Sequence, residues 1–430
     1  MKKRIFVLII MVMIASLVGS ACTPSGADDS SQNSGSNYSS ESKENNSSPE
    51  SVSDDNSESR SESVMESENE NNSESDSSPE STSESEADDD VEPTDAKWFK
   101  FTLLDDGSGY SVAKCDDYDE ITYPTEIVIP ATYNNKPVTS IENDAFYGCS
   151  SLTSITIPDS VTSIGDQAFY ECLILTSIII PDSVTSIRDY TFQECRSLTS
   201  ITIADSVTSI GNYAFNECIS LTNITIPDSV TSIGNYAFFE CSSLINIIIP
   251  SSVASIGNYA FSWCGNIENI EVSLENAVYY STNDCLINKS TKTLVLGCKN
   301  SIIPSDGCVT SIEKGAFYEC SSLTNITIPD SVTYIGNGSF YGCSSLTNIT
   351  IPDRVTSIGN QAFSGCSSLT NITIPDSITS IGYGAFYGCS SLTNVVFEGT
   401  KEQWMALYKD GIFAETQVSA VKCIDGEFEI

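Results

Sequence analysis

The chain has 430 residues, no histidine, and 58 acidic against 19 basic residues, which gives a net charge of −39. The absence of histidine excludes Ser-His-Asp and Cys-His catalysis, most zinc sites and the most common general base. The acidic balance, together with the lack of an evident basic patch, argues against binding of nucleic acid, because phosphate contacts need lysine and arginine.

The first 22 residues are typical of an export signal. Basic residues at 2–4 precede an apolar run over 5–18, and small residues fill 19–21. Cys22 follows directly, an arrangement that resembles the bacterial lipobox, in which a signal peptidase cleaves before a cysteine that receives lipid. Gly19 stands where that motif usually has leucine. We predict a signal peptide over 1–22 with lipidation at Cys22; the alternative is an ordinary secretory signal.

A strongly acidic segment follows the signal. Residues 23–96 are mostly Ser, Asn, Glu and Asp, with 22 acidic and two basic residues. Such a composition offers too few apolar side chains to compensate the entropy lost on ordering. The sequence therefore predicts a disordered linker over 23–96. No apolar run after the signal approaches the length of a membrane-spanning helix.

The remainder of the chain is built from a 23-residue repeat, whose clearest mark is a column of cysteines. One copy reads LxxIxIxxSVxxIxxxAFxxC from Leu152 to Cys172. The alternation of Ile155 and Ile157 predicts a strand, and the spacing of Ala168, Phe169 and Cys172 predicts a short helical turn. A fixed period of this size indicates a solenoid. The column consists of Cys149, Cys172, Cys195, Cys218, Cys241, Cys264, Cys320, Cys343, Cys366 and Cys389.

This pattern resembles the leucine-rich repeat, with Ser160 where that family usually has asparagine. It is more similar still to the BspA-like leucine-rich repeats of bacterial surface proteins, over about 125–430. The resemblance implies a leucine-rich-repeat solenoid: a parallel sheet of short stacked strands with short helical turns on the opposite face, capped at both ends. It also implies adhesion to proteins of host or neighbouring cells. One repeat has no second apolar layer, so it needs its neighbours for stability.

The repeat divides the folded part into five segments. We predict an N-terminal cap and first irregular coil over 97–141, regular repeats over 142–264, a longer irregular repeat over 265–308, regular repeats over 309–394 and a C-terminal cap over 395–430. Trp404 is expected to pack in the C-terminal cap. In the irregular repeat, Tyr279 and Tyr280 either pack a local hairpin or contribute to a contact surface.

Two periodic columns could carry chemistry. The cysteines could form disulfides in an exported protein, but they occupy a position that is leucine in the general repeat, and we predict buried free thiols. The aspartates that follow the prolines, Asp159 among them, could bind calcium. The alternative is that aspartate occurs there because it is common in turns after proline. The column offers too few carboxylates per site, so we predict neither a metal nor a cofactor.

The outward positions of the predicted strands form a flat, uncharged ribbon suited to an extended protein partner. Without stacked aromatic rings such a surface is poorly suited to sugars. The alternative is that these residues are simply good strand formers. The predicted partner-binding residues are Asn223, Thr225, Asn246, Asn325, Thr327, Asn348, Thr350, Asn371 and Thr373.

These observations together predict a lipid-anchored bacterial surface protein that binds or adheres to extracellular proteins through its repeats, with the membrane contacted only through lipid. A spacer or envelope scaffold without a specific ligand is the first alternative. An enzyme is the second; a glycoside hydrolase, for instance, would need paired carboxylates in a cleft. We expect no enzymatic activity.

Overall fold

A computed structural model describes residues 92–116, 123–408 and 411–430. The predicted signal peptide, Cys22 and nearly all of the predicted linker lie outside the described residues. The described part is a solenoid of about twelve coils with very little helix, which confirms the predicted fold class. Within it, no helix is long and apolar enough to cross a membrane.

The first ladder of the solenoid is the parallel sheet predicted from the sequence. The strands are β3 (Glu126–Val128), β6 (Ser154–Thr156), β8 (Ser177–Ile179), β10 (Ser200–Thr202), β13 (Asn246–Ile249), β15 (Asn269–Val272), β21 (Asn348–Thr350), β23 (Asn371–Ile374) and β25 (Asn394–Phe397). The ladder is divided into three stretches, β3 to β10, β13 to β15 and β21 to β25, and within each stretch successive strands pair in register, for example Ile178 with Ile201. Their central isoleucines point into the core and the flanking residues point outward.

A second parallel ladder, which the sequence reasoning missed, runs along the solenoid beside the first. It is formed by two-residue strands, mostly of sequence Ser-Ile, with the isoleucine buried in nearly every coil. The strands are β7 (Ser163–Ile164), β9 (Ser186–Ile187), β11 (Ser209–Ile210), β12 (Ser232–Ile233), β14 (Ser255–Ile256), β19 (Ser311–Ile312), β20 (Tyr334–Ile335), β22 (Ser357–Ile358) and β24 (Ser380–Ile381).

The short helical turns expected around Ala168, Phe169 and Cys172 are not helices. The N–H groups of Gln167, Phe169 and Glu171 donate to carbonyl oxygens of the following coil, at Asp189, Thr191 and Gln193. Those donors are therefore unavailable for helical bonds within the coil. Gln167 and Glu171 also have left-handed backbone, with φ of 56° and 58°, which interrupts any right-handed helix.

A column of glycines recurs at one position of the repeat and marks a close approach between coils rather than a left-handed backbone: Gly165, Gly211, Gly234, Gly257, Gly336, Gly359 and Gly382. A Cβ at Gly211 would lie 2.6 Å from the carbonyl carbon of Arg188 in the preceding coil. Arg188 itself occupies the equivalent position one coil earlier.

The core contains a continuous stack of phenylalanine rings in each half of the solenoid. Neighbouring rings lie 5.0–5.5 Å apart between centroids and are nearly parallel. The first stack is Phe146, Phe169, Phe192, Phe215, Phe238 and Phe261, and the second is Phe317, Phe340, Phe363, Phe386 and Phe413. Each coil thus contributes one ring to a shared core, as a unit that cannot bury its own apolar face must.

The irregular repeat forms a wall between two core clusters. It contains β16 (Tyr279–Thr282), β17 (Cys285–Asn288) and β18 (Thr293–Leu296). β17 pairs antiparallel with both β16 and β18, and β18 pairs in parallel with β19. Side chains of β17 alternate between the clusters: Leu286 joins the N-terminal one, whereas Cys285 and Ile287 join the C-terminal one. Both faces of β17 are therefore buried.

Caps close the two ends. A short 3-10 helix (Ala96–Trp98), β1 (Phe99–Leu103), β2 (Tyr110–Lys114), β4 (Thr132–Tyr133) and β5 (Lys136–Ile141) form the first. Helix α1 (Lys401–Leu407), β26 (Ala420–Cys423) and β27 (Gly426–Glu429) form the second. Trp404 is fully buried, with its ring 5.2 Å from that of Phe397. Its predicted packing role is confirmed.

Candidate functional site

The predicted partner-binding residues lie on the solvent side of the first ladder. Seven of the nine are exposed, and Asn246 and Thr373 are half-buried. Buried isoleucines such as Ile224 and Ile372 separate them within each coil. We call this surface the ribbon: the outward columns that contain Asn223 and Thr225. Its role in binding stays a prediction.

The ribbon is not equally regular along its length. The segment that carries Asn223 and Thr225 has no strand, and Asn325 is held only by an isolated bridge to Asn348. Thr327 also lies outside any strand, and the other five residues lie on β13, β21 and β23. The structure therefore collects them on one side of the solenoid, but in stretches of ladder separated by less regular backbone.

The asparagine column of the ribbon is partly engaged by its own neighbours. The side-chain amide of Asn246 donates to Oδ1 of Asn223 at 3.3 Å, and that of Asn269 donates to Oδ1 of Asn246 at 2.8 Å. Asn371 donates to Oγ1 of Thr370 at 2.8 Å. Asn269 continues the column and was not among the predicted residues. Each amide retains hydrogen-bonding capacity, but part of it stabilises the stack.

The threonine column of the ribbon is the less engaged of the two. Within the described part of the chain, the hydroxyls of Thr225, Thr327, Thr350 and Thr373 make no side-chain hydrogen bond. The same column contains Ile179 and Ile248, whose exposed fractions are 68% and 56%. An isoleucine at an outward position that is threonine in other repeats is a signal in the sequence, and it could have added these two residues to the predicted site.

Most other repeated polar residues are used inside the solenoid. The hydroxyl of Ser206 donates to the carbonyl oxygen of Val184, and that of Thr208 to the carbonyl oxygen of Thr185, at 2.6 and 3.1 Å. Oδ1 of Asn235 accepts the backbone N–H of Asn258 at 2.8 Å. Equivalent bonds recur in other coils. These recurring polar residues therefore hold the coils together. The ribbon is the recurring surface whose side chains keep hydrogen-bonding capacity for a partner.

The cysteine column is buried, as predicted, and no disulfide joins the cysteines that the structure describes. Burial raises the pKa of thiols such as Cys172 and Cys241 well above the usual value. The aspartates after the prolines are exposed. Among the described residues, no group of three or more Cys, Asp or Glu side chains is placed to hold a metal ion.

Stacked aromatic rings, absent from the ribbon, lie instead on the turns. Tyr190, Tyr213, Tyr236 and Tyr259 form a stack with centroids 4.7–5.2 Å apart. All four residues have left-handed backbone, which carries their side chains into one column. Because each ring face covers its neighbour, the stack shows mainly ring edges to solvent and offers few faces to a sugar.

A column of glutamates lies on the same turns. Glu194, Glu217, Glu240 and Glu319 share the left-handed conformation. Arg196 contacts the carboxylates of Glu194, at 2.9 Å, and Glu217. Burial, followed by the charge of Glu217, raises the pKa of Glu240 to about 7, and burial raises that of Glu319 to about 7. These carboxyls take up protons near neutral pH, which the sequence pattern did not indicate.

The stacked coils and the exposed ribbon define a leucine-rich-repeat solenoid. A family model described as the BspA type leucine rich repeat region (6 copies) matches residues 118–215, 185–308 and 310–426. The chain therefore belongs to the BspA type leucine-rich-repeat family, as its repeat predicts.

Solved structures give the same picture. The chain is 31% identical to a leucine rich cell surface protein from Faecalibacterium prausnitzii; the match covers 75% of this chain and 99% of that one, with a TM-score of 0.58. It is 21% identical to the pneumococcal vaccine antigen PcpA, over 70% of this chain and 80% of that one, with a TM-score of 0.60; this second likeness shows the fold alone. No curated protein matches the sequence.

Proposed function

We propose that the protein is exported, anchored to the bacterial membrane by lipid at Cys22, and displays its solenoid at the cell surface to adhere to proteins of host or neighbouring cells. The export and lipidation parts rest on the sequence of residues 1–22. The surface location is supported by the similar cell surface protein from Faecalibacterium prausnitzii. The role is binding rather than catalysis, in keeping with a chain that has no histidine.

The ribbon is the proposed contact surface, and the threonine column is the observation that carries the proposal. Thr225, Thr327 and Thr350 are exposed and Thr373 is half-buried, and their hydroxyls make no side-chain hydrogen bond within the described residues. In consecutive coils such as those of Thr327, Thr350 and Thr373 they recur at about the 4.8 Å spacing of paired strands. An extended segment of a partner protein can therefore find a regular series of donors and acceptors along the solenoid.

Ile179 and Ile248 would supply the apolar part of the contact. They lie in the same column, three coils apart, with Thr202 and Thr225 between them. Full burial of an isoleucine side chain contributes about 1.5–3 kcal/mol. Two such anchors around a polar centre are enough to orient a partner, because a few apolar residues usually dominate the energy of an interface.

The test is capture of partners by the purified chain without residues 1–22, against a panel of extracellular matrix proteins and whole bacterial cells. We expect saturable capture that survives high salt, because the ribbon is uncharged over these coils. The double variant Ile179→Asn/Ile248→Asn should weaken capture at least about tenfold. Ile302→Asn is the matched control, because Ile302 is equally exposed, at 68%, but lies outside the ribbon.

A spacer or envelope scaffold without a specific ligand is the second candidate. The observation in its favour is the mutual hydrogen bonding of Asn223, Asn246 and Asn269, which uses part of the ribbon's capacity internally. No capture across the panel, or an equal loss with Ile302→Asn, would contradict adhesion through the ribbon and favour the scaffold.

A further inference from the structure

An open cavity of about 300 Å³ lies on the surface of the irregular repeat. It is lined by Tyr280, Lys289, Lys292, Asp306, Gly307 and Cys308. Tyr280 lies on β16, the two lysines lie in the turn between β17 and β18, and Asp306 to Cys308 lie on the loop before β19. The cavity thus exists only because this unit is longer than the others. Tyr279, in contrast, is buried, and its hydroxyl accepts the N–H of Ile256 at 3.1 Å.

The cavity carries positive charge in an otherwise acidic protein. Residues 285–305 contain three lysines and no acidic residue, in a chain of net charge −39. Two of those lysines line the cavity, opposed by the single carboxylate of Asp306. The surplus charge at the cavity is therefore positive. It is local, since interactions between exposed charges are largely screened beyond roughly 8 Å at physiological salt.

Both ammonium groups are held in place and keep donors free. Nζ of Lys289 donates to the carbonyl oxygen of Asn276, and Nζ of Lys292 approaches the carbonyl oxygen of Gly307 at 3.5 Å. An ammonium has three donors, so each can still bind an anion. The turn between them is fixed by Oδ1 of Asn288, which accepts the N–H groups of Ser290 and Thr291 at 3.0 and 3.1 Å.

The opposite wall is also held by a hydrogen bond. Oδ1 of Asp306 accepts the N–H of Cys308 at 3.0 Å, and Tyr280 and Cys308 line the same cavity. Burial and the neighbouring Asp306 raise the pKa of the Cys308 thiol. That thiol is therefore a wall of the cavity and not a reactive nucleophile.

We infer that this cavity binds carboxylate side chains of an acidic peptide segment in a partner protein. Two oriented ammonium groups match carboxylates through charge-assisted hydrogen bonds. A cavity of about 300 Å³ is at the small end of ligand sites, which fits one or two acidic side chains. A long polyanion such as nucleic acid is disfavoured, because the rest of the protein is acidic and repels it.

The test is binding of a fluorescein-labelled hexaglutamate peptide to the chain without residues 1–22, measured by fluorescence anisotropy at low and at physiological salt. We expect saturable binding that weakens as salt rises and that hexaglutamine does not reproduce. Lys289→Gln/Lys292→Gln should weaken binding at least about tenfold, the scale of charged hydrogen bonds. Lys100→Gln/Lys422→Gln is the matched control, since it removes the same charge from exposed lysines of the two caps.

Several outcomes would overturn the inference. The first is that the hexaglutamate peptide shows no saturable binding, and the second is that both double-lysine variants weaken its binding equally. The third is displacement of the peptide by millimolar inorganic phosphate, which would assign the cavity to phosphate groups instead. Thermal melts show whether the variants remain folded, and Lys292→Gln alone serves if the double variant does not. Ile179→Asn/Ile248→Asn should bind the peptide normally, which separates this site from the ribbon.

Discussion

The Sγ of Cys195 donates a hydrogen bond to the carbonyl oxygen of Phe169 in the preceding coil, 3.2 Å away. The same oxygen accepts the backbone N–H of Cys172 at 3.1 Å. Seven further cysteines of the column repeat the thiol bond to a phenylalanine carbonyl at 3.1–3.3 Å. A leucine at this position could fill the volume but could not donate, which gives a physical reason for cysteine in the column.

Replacement of one of these thiols should measurably weaken the solenoid. Cys218→Ala removes a buried donor to Phe192 and leaves unfilled volume, and we expect it to lower the free energy of unfolding by about 1–3 kcal/mol. Urea unfolding followed by circular dichroism measures the change. Cys423→Ala is the control, because Cys423 is only half-buried and should cost less than about 0.5 kcal/mol. Equal effects of the two substitutions would contradict a stabilising role for the thiol column.

Because β17 divides the core into two clusters, we predict that a core substitution in one cluster destabilises mainly the coils of that cluster. Phe363 is fully buried in the C-terminal cluster, and Phe215 is fully buried in the N-terminal one. Stability in a solenoid is approximately a sum of coil and neighbour terms. Phe363→Ala should cost about 3–5 kcal/mol and speed amide hydrogen exchange mainly in coils after β19. Phe215→Ala should do so mainly before β16. Exchange that rises uniformly along the chain in either variant would contradict two separable clusters.

The features that could be predicted from the sequence were those that depend on buried apolar residues. Ile155, Val161 and Phe169 recur every 23 residues with apolar neighbours, so the inward positions and the first ladder could be predicted. The second ladder was missed because a two-residue strand such as Ser209–Ile210 is too short to show alternation. The turns were misjudged because Tyr213 and Glu217 are unusual residues for left-handed backbone, and only the contacts between coils impose it.

The ribbon and the cavity differ in how far the sequence could locate them. Thr225 and Asn348 could be assigned to an outward surface from strand alternation alone. The cavity depends on Lys289 of the hairpin turn and Asp306 of the loop before β19 lining one space, and no periodicity relates those two positions. A search for positive charge in blocks of sequence points to 285–305, but only the fold shows that two of its lysines share a cavity with Tyr280.

The lipid anchor predicted at Cys22 can be tested without the solenoid. Cys22→Ala should release the protein from cells into the medium, because a thioether-linked lipid can no longer form. Immunoblots of cell and medium fractions measure the distribution. Ser20→Ala is a suitable control, since it leaves the cysteine in place and keeps the residue small. A Cys22→Ala protein that stays with the cells would show that lipidation at Cys22 is not what retains it.

The buried glutamates predict that the solenoid is more stable in mildly acidic than in mildly alkaline solution. Burial raises the pKa of Glu240 and Glu319 to about 7, from 4.5 for a free side chain. Between those values the folded protein holds protons that the unfolded chain has released, so stability falls as pH rises through 7. Oε2 of Glu240 also has no hydrogen-bond partner among the described residues, so its charged form gains little compensation.

The measurement is the thermal midpoint between pH 5 and pH 8.5 at constant ionic strength. We expect the midpoint to decline most steeply between pH 5 and about pH 7, and to level off above pH 7, where both states have released these protons. Glu240→Gln/Glu319→Gln should flatten the decline and raise stability at pH 8, because the amide stays neutral at every pH. Glu126→Gln, at an exposed position on β3, should leave the profile unchanged. A midpoint that rises with pH from 5 to 8 would contradict protonation of these two buried carboxyls in the folded protein.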